Sequence, residues 1–427
     1  MKRASRRLTG RKFLVATASV LGLVGLGGCA AGAGSGDSNG QDSSGFEYGA
    51  SQEEVNEAIA DLEPITLTYQ PAANSAEAPG NEIAHEFKEK VESRSNGQIT
   101  VDIVWGHGIA SIEETEDALA DGRIDVSHAV PIYKPQEFPE IDALSNLLGT
   151  VGGSPMEGEL IANAVAADLA WGTPDLLQSY EDAGIVPLVP AYGGGYYTMC
   201  TEPGGSADDW DGRQLRIAST AQAEQATAIN ATPVSLEYPE LYEAMQRNVI
   251  DCTSLQLNTA AIAGLFEVAP NITYTNEVSF TRALSATLAG ANFKDLPLAY
   301  QQIIFDNAIN EYAVTMHDFF DTGSEGIAQA KDLGGEIEEF DTETVEALKK
   351  SNEEIVADIS EGGSLGEDVE SRLTESIEKW QNEVAELGLE DEGTLANFDE
   401  WYDGSTDDFR ELGRMLFEET ALNHRPE

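Results

Sequence analysis

The sequence predicts an α/β protein of two lobes, each a sheet flanked by helices, with a long helix linking the lobes. Three observations carry this: a strand, helix, strand, helix, strand succession over 65–126, a second such unit beyond residue 191, and a glycine run between them. In the first unit, 65–69 (ITLTY) reads as a strand, and a loop of Pro, Gly, Ala and Asn leads to a helix beginning near Asn81. Ile83, Ala84, Phe87 and Val91 recur at three- and four-residue spacing and give that helix one apolar face, which Asn96-Gly97 ends. Ile99, Val101, Ile103 and Trp105 then alternate as in a half-buried strand. Residues 112–121 form a second helix, and 122–126 turn into a third strand.

Gly193-Gly194-Gly195 followed by Tyr196 and Tyr197 reads as a flexible turn feeding an aromatic strand, the signature of a crossing between domains. Beyond it come a strand at 214–218, a helix at 221–229, a helix with Leu241, Ala244 and Met245 on one face, and a strand at 249–254. Residues 278–288 read as a strand and 296–330 as one long helix. The expected division is 61–192 with 281–320 as the first lobe, 193–280 with 321–345 as the second, and 346–427 as a helical, acidic C-terminal extension.

The N-terminus predicts export. Lys2, Arg3, Arg6, Arg7, Arg11 and Lys12 precede an apolar run, 13–26, that is short for a bilayer span. Leu26-Gly27-Gly28-Cys29 resembles a lipobox, which makes 1–28 a signal peptide and Cys29 the lipid-bearing first residue of the mature chain. Ser5-Arg6-Arg7 begins like a twin-arginine signal but continues with Leu8 and Thr9, so the export route stays open. Residues 29–60 are the tether; 30–49 offer little to bury and cannot offset their ordering entropy. The expected location is the outer face of the cytoplasmic membrane, with the lipid as the only membrane contact.

The 427 residues carry 24 Lys+Arg against 76 Asp+Glu, a formal charge of −52. Six of the basic residues lie in the signal, so the mature chain keeps 18. Nucleic acid and anionic lipid are poor partners for such a surface, which fits adaptation to high salt, where screening relaxes self-repulsion. Cys200 and Cys252 are the other two cysteines; outside the cytoplasm they can pair, but the sequence does not establish proximity.

Several segments resemble the DctP-type solute receptors of TRAP transporters. Residues 86–99 (EFKEKVESRSNGQI) are similar to that family's helix, turn and strand, and 112–126 (IEETEDALADGRIDV) to its next helix and turn. The stronger matches are 210–217 (WDGRQLRI), 231–234 (ATPV), 240–246 (ELYEAMQ) and 249–251 (VID). The resemblance runs over roughly 65–330. It implies a periplasmic-binding-protein-like receptor that closes on a small organic acid and delivers it to the permease subunits in the membrane.

By that resemblance Arg216 occupies the place of the arginine that clamps the ligand carboxylate, a task suited to its planar, permanently charged fork. Tyr238 matches the pocket aromatic. Where the family often has a second arginine this chain has Tyr196 or Tyr197, and the family's ligand-binding asparagine is replaced by Leu255, leaving Gln256 or Asn258 to substitute if the strand shifts. Asn74 and Tyr133, at the ends of first-lobe strands, complete the ligand-binding candidates. The departures favour a monocarboxylate with an apolar or aromatic body.

No catalytic constellation, cofactor motif or metal site is expected. His85, His107, His128, His317 and His424 lack metal-ligand spacing, and the glycine run lacks the Lys-Ser/Thr of a P-loop. Competing readings are a substrate-binding lipoprotein of another uptake system and a non-catalytic cell-surface interaction protein. For the latter the acidic stretch 390–408 is the candidate region, but it lacks EF-hand spacing and reads as a solvated extension with Trp401 and Tyr402 docked on the body.

Overall fold

A computed structural model describes residues 45–236, 238–404 and 409–427. The signal, Cys29 and the first part of the tether lie outside the described residues. Eleven strands are described: β1 Ile65–Gln70, β2 Ile99–Ile103, β3 Val126–Ala129, β4 Val186–Tyr192, β5 Tyr197–Cys200, β6 Gln214–Ile217, β7 Thr232–Ser235, β8 Cys252–Leu255, β9 Asn271–Tyr274, β10 Ser285–Ala289 and β11 Ile337–Glu339.

They form two sheets, ordered β2-β1-β3-β10-β4 and β11-β9-β5-β8-β6-β7. β1 runs parallel to β2 and β3, while β10 returns antiparallel between β3 and β4. In the second sheet β6 runs parallel to β7 and β8, and β5 lies antiparallel to β8 and β9. The chain passes from the first sheet to the second through Gly193–Gly195 and returns between β9 and β10. Cys200 and Cys252 face each other across β5 and β8, Cα atoms 4.1 Å apart, and form a disulfide.

The Asn81–Arg94 helix buries Ala84, Phe87 and Val91, and stops where Asn96 and Gly97 take positive φ. The single long helix expected over 296–330 is two, Leu298–Asn307 and Ile309–Asp332, meeting at Ala308. Near the break Asn307 turns its side-chain amide onto the Ile303 carbonyl at 2.6 Å, the acceptor that a regular helix offers to the Asn307 backbone N–H. Residues 278–284 are irregular apart from a bridge between Tyr196 and Phe280, so the strand expected over 278–288 shrinks to β10.

The C-terminal region forms another packed layer. Val369–Glu386 lies on Glu157–Trp171, a helix apolar nearly all round and buried accordingly. There Asp168 Oδ2 accepts hydrogen bonds from Trp380 Nε1 (3.0 Å) and Ser376 Oγ (2.8 Å). Residues 391–402 are docked: Leu395 and Phe398 are fully buried, Tyr402 packs on Phe320 and Phe398, and Asp391 Oδ1 accepts from the N–H groups of Met156 (3.0 Å) and Glu157 (3.1 Å). The packing of Trp401 and Tyr402 agrees with the expectation, whereas the burial of Leu395 and Phe398 corrects the solvated character given to the rest of the stretch, whose acidity masks its apolar residues. The two ends of the described chain also meet. Gln302 accepts from the Phe46 N–H and donates to the Pro426 carbonyl, and the Phe46 ring lies between Arg94 and Arg425, whose guanidinium carbons are 5.7 and 5.0 Å from its centroid.

Candidate functional site

Arg216 sits in β6 between β7 and β8, its neighbours Leu215 and Ile217 buried in the second lobe. It is itself only 6% exposed, and its Nε donates to the Leu236 carbonyl at 2.9 Å, which fixes the plane of the fork. Just beyond the strand, Ser219 caps the Thr220–Ala228 helix by accepting from Gln222 N–H. Gln222 donates to the Thr281 carbonyl (2.9 Å) and Gln225 accepts from the Thr281 N–H (3.0 Å), so this helix is bound to the segment that returns to the first lobe.

Three tyrosines lie within electrostatic reach of that arginine or of one another. Tyr196 is buried; burial, then Tyr133, pushes its phenol up to about 12, while Arg216 pulls it back. Burial and then Tyr133 raise the phenol of Tyr238, which donates to the Thr259 carbonyl at 3.4 Å, again with Arg216 opposing. Tyr133, 59% exposed, comes from the other lobe, on the turn Pro131–Tyr133 after β3. Arg216 of one lobe and Tyr133 of the other thus both act electrostatically on Tyr196 and Tyr238.

Other candidates fall elsewhere. Successive residues of an extended chain face opposite ways, so Tyr197 turns from Tyr196 toward Glu159. Tyr197, Gln256 and Asn258 line a small cavity of about 30 Å³ with Gly194, Gly195 and Phe319. Gln256 Oε1 accepts from Thr259 Oγ1 at 3.1 Å and Asn258 Oδ1 from Thr259 N–H at 2.7 Å, which occupies both amides in starting the Leu257–Ile262 helix. Asn74 is exposed in the loop after β1, with its carbonyl against Gly106.

The sequence reading missed the polar pair under the crossing. Arg282 and Glu159, 2% and 4% exposed, form a two-pronged ion pair at 2.7 and 3.2 Å. Glu159 also accepts from the Gly195 N–H at 2.9 Å, and Arg282 donates to the Gly193 carbonyl at 3.3 Å. The pair ties the glycine run to the Glu157–Trp171 helix. The signal that singled out Arg216, a rare arginine in an apolar stretch, applies equally to Arg282.

Residues 72–362 match the family described as bacterial extracellular solute-binding protein, family 7, or DctP. The chain belongs to the DctP family. Its members are receptors of transporters and not enzymes. Among its relatives, the ectoine-binding periplasmic protein TeaA of Halomonas elongata is 25% identical over 251 residues, covering 52% of this chain and 73% of TeaA. A TRAP periplasmic solute-binding protein from Ochrobactrum anthropi superposes with a TM-score of 0.62 at 20% identity, over 76% of this chain and 98% of that one. The galactonate complex of the sugar acid binding protein from Advenella mimigardefordensis gives 0.59 at 18%, over 75% and 100%. The two-sheet architecture of this DctP-family receptor is therefore that of TRAP solute-binding proteins, and no helix among the described residues is long and apolar enough to cross a membrane.

Proposed function

We propose that this TRAP receptor takes a small monocarboxylate with a compact apolar or ring-shaped body, held between the lobes by Arg216. The burial of Arg216, with Tyr196 and Tyr238 in electrostatic reach of both it and Tyr133 of the other lobe, carries the reading. A buried guanidinium aims two parallel donors at a carboxylate, and phenols supply apolar faces with a polar edge for the remainder. Galactonate and ectoine, the ligands named for two relatives, share one carboxylate, which supports the choice of anchor. Contact with both lobes makes the closed form the tighter binder, so the ligand shifts the population toward the form a permease recognises. The mature receptor is anchored by lipid on Cys29 and faces a saline exterior.

The test is calorimetric titration of organic acids in high salt, after a thermal-shift screen. A monocarboxylate should bind wild type, with Arg216→Ala weakening it by at least about 50-fold while the circular dichroism spectrum is kept. Retained affinity in the variant would sink the clamp. Labelled-lipid incorporation unchanged by Cys29→Ala would sink the anchor.

A further inference from the structure

A cavity not lined by Arg216 lies inside the first lobe. β4, the Glu157–Trp171 helix, the Ile309–Asp332 helix and the C-terminal helix Phe409–Glu419 surround a cavity of about 50 Å³. Its walls include Trp171, Tyr192, Tyr312, Met316 and Phe417, and one carboxylate, Glu311, reaches it from the long helix. Glu311 is 6% exposed. Its Oε1 accepts from Thr287 Oγ1, but Oε2 is buried without a hydrogen-bond partner. One turn along the same helix, Thr315 lines the same cavity and its Oγ1 is equally unpartnered at 2% exposure.

The other polar side chains of the wall, Asn163 and Thr420, are engaged with the backbone, so two orphaned oxygens in a mainly apolar chamber are a costly arrangement unless something fills it. From these features we infer that the cavity is a binding site for a small alkylammonium ion, whose N–H or polarised C–H groups meet Glu311 Oε2 and Thr315 Oγ1 while its carbons meet the aromatic walls. A bare alkali ion wants a shell of oxygens, which apolar walls do not supply. An ammonium needs one anionic partner and is attracted to the faces of aromatic rings. Space is adequate: about 10–15 Å³ of such volume accommodates one water, so the chamber takes about four heavy atoms. The C-terminal helix is one wall.

The experiment uses the mature chain, with thermal unfolding followed at constant chloride as NaCl is partly replaced by methylammonium, trimethylammonium or potassium chloride. The expected result is a midpoint raised by about 2–4 °C with one of the alkylammonium salts and unchanged with potassium. Glu311→Gln, close to isosteric and uncharged, should abolish the rise. Ala167→Leu, which fills the chamber from the opposite helix and leaves the carboxylate intact, should do the same if the Gln variant does not fold. No rise with either amine, an equal rise with potassium, or a rise that survives in the folded variants overturns the inference and leaves buried water or a protonated carboxyl in its place. Arg216→Ala should leave the rise intact, so this site and the carboxylate clamp succeed or fail separately.

Discussion

Arg216 and Arg282 are both buried arginines beside the passage between lobes, yet their surroundings differ in kind. Arg282 is matched within the chain: both prongs of its fork lie on Glu159, and the same two residues hold Gly193 and Gly195. Arg216 donates its Nε to the Leu236 carbonyl and acts electrostatically on Tyr196 and Tyr238. A charge satisfied by a fixed carboxylate is structural. The contrast teaches that burial of an arginine does not by itself mark a receptor site; what surrounds the fork does.

The sharpest way to break this comparison is to truncate Arg282. Arg282→Ala leaves Glu159 buried and unpaired, and should cost about 3–5 kcal/mol in chemical denaturation. Pairing it with Glu159→Gln should recover part of that loss. If Arg282→Ala is no more destabilising than Arg216→Ala, the structural role given to the pair is wrong.

A second contrast lies between two buried carboxylates. Glu159 has an arginine, whereas Glu311 forms no ion pair among the described residues and burial pushes its carboxyl up to about 7. The folded state therefore holds a proton that the unfolded state has released, and without an added ligand stability falls as pH rises from about 4.5 to about 7. Asp318, raised to about 6 by burial, acts in the same direction, and His128, lowered to about 4 by burial, in the opposite one. The contribution of Glu311 is thus isolated as the difference between wild type and Glu311→Gln. That difference should shift by on the order of 2–3 kcal/mol across the window, against the wild type at higher pH. A flat difference in paired urea melts at pH 5 and pH 8 would remove the contrast.

The smallest expected effect concerns the helix that carries Glu159. Asp391 caps it from the C-terminal region, and Asp391→Ala should cost about 1 kcal/mol, readable as a shifted denaturation midpoint with unchanged slope. A loss as large as that for Arg282→Ala would mean that Asp391 acts on the ion pair itself.

Much of the first lobe was legible because its elements are half-exposed and so carry a period: Ala84, Phe87 and Val91 on one helix face, and Ile99 and Val101 on one strand face. The Glu157–Trp171 helix was not read, since a segment buried on every side shows no alternation, and β9 and β11 are short. Tyr196 and Arg216 were reached through local motifs and a family pattern. Glu159 and Arg282 lie 123 positions apart, and only the folded chain brings them together. The choice between Tyr196 and Tyr197 likewise needed the facing of two consecutive side chains, which residue types do not encode.

The meeting of the two chain ends at Phe46 has a mechanical consequence. A pull on the residues ahead of Gly45 does not first peel a free strand from the body. It is taken up at once by the Gln302 amide and by the Arg425 fork, which also grips Asp306 at 2.7 and 2.9 Å. Gln302 and Arg425 thus act as a clasp on Phe46, and strain entering at that point is shared with the segment around Pro426 before it reaches either sheet.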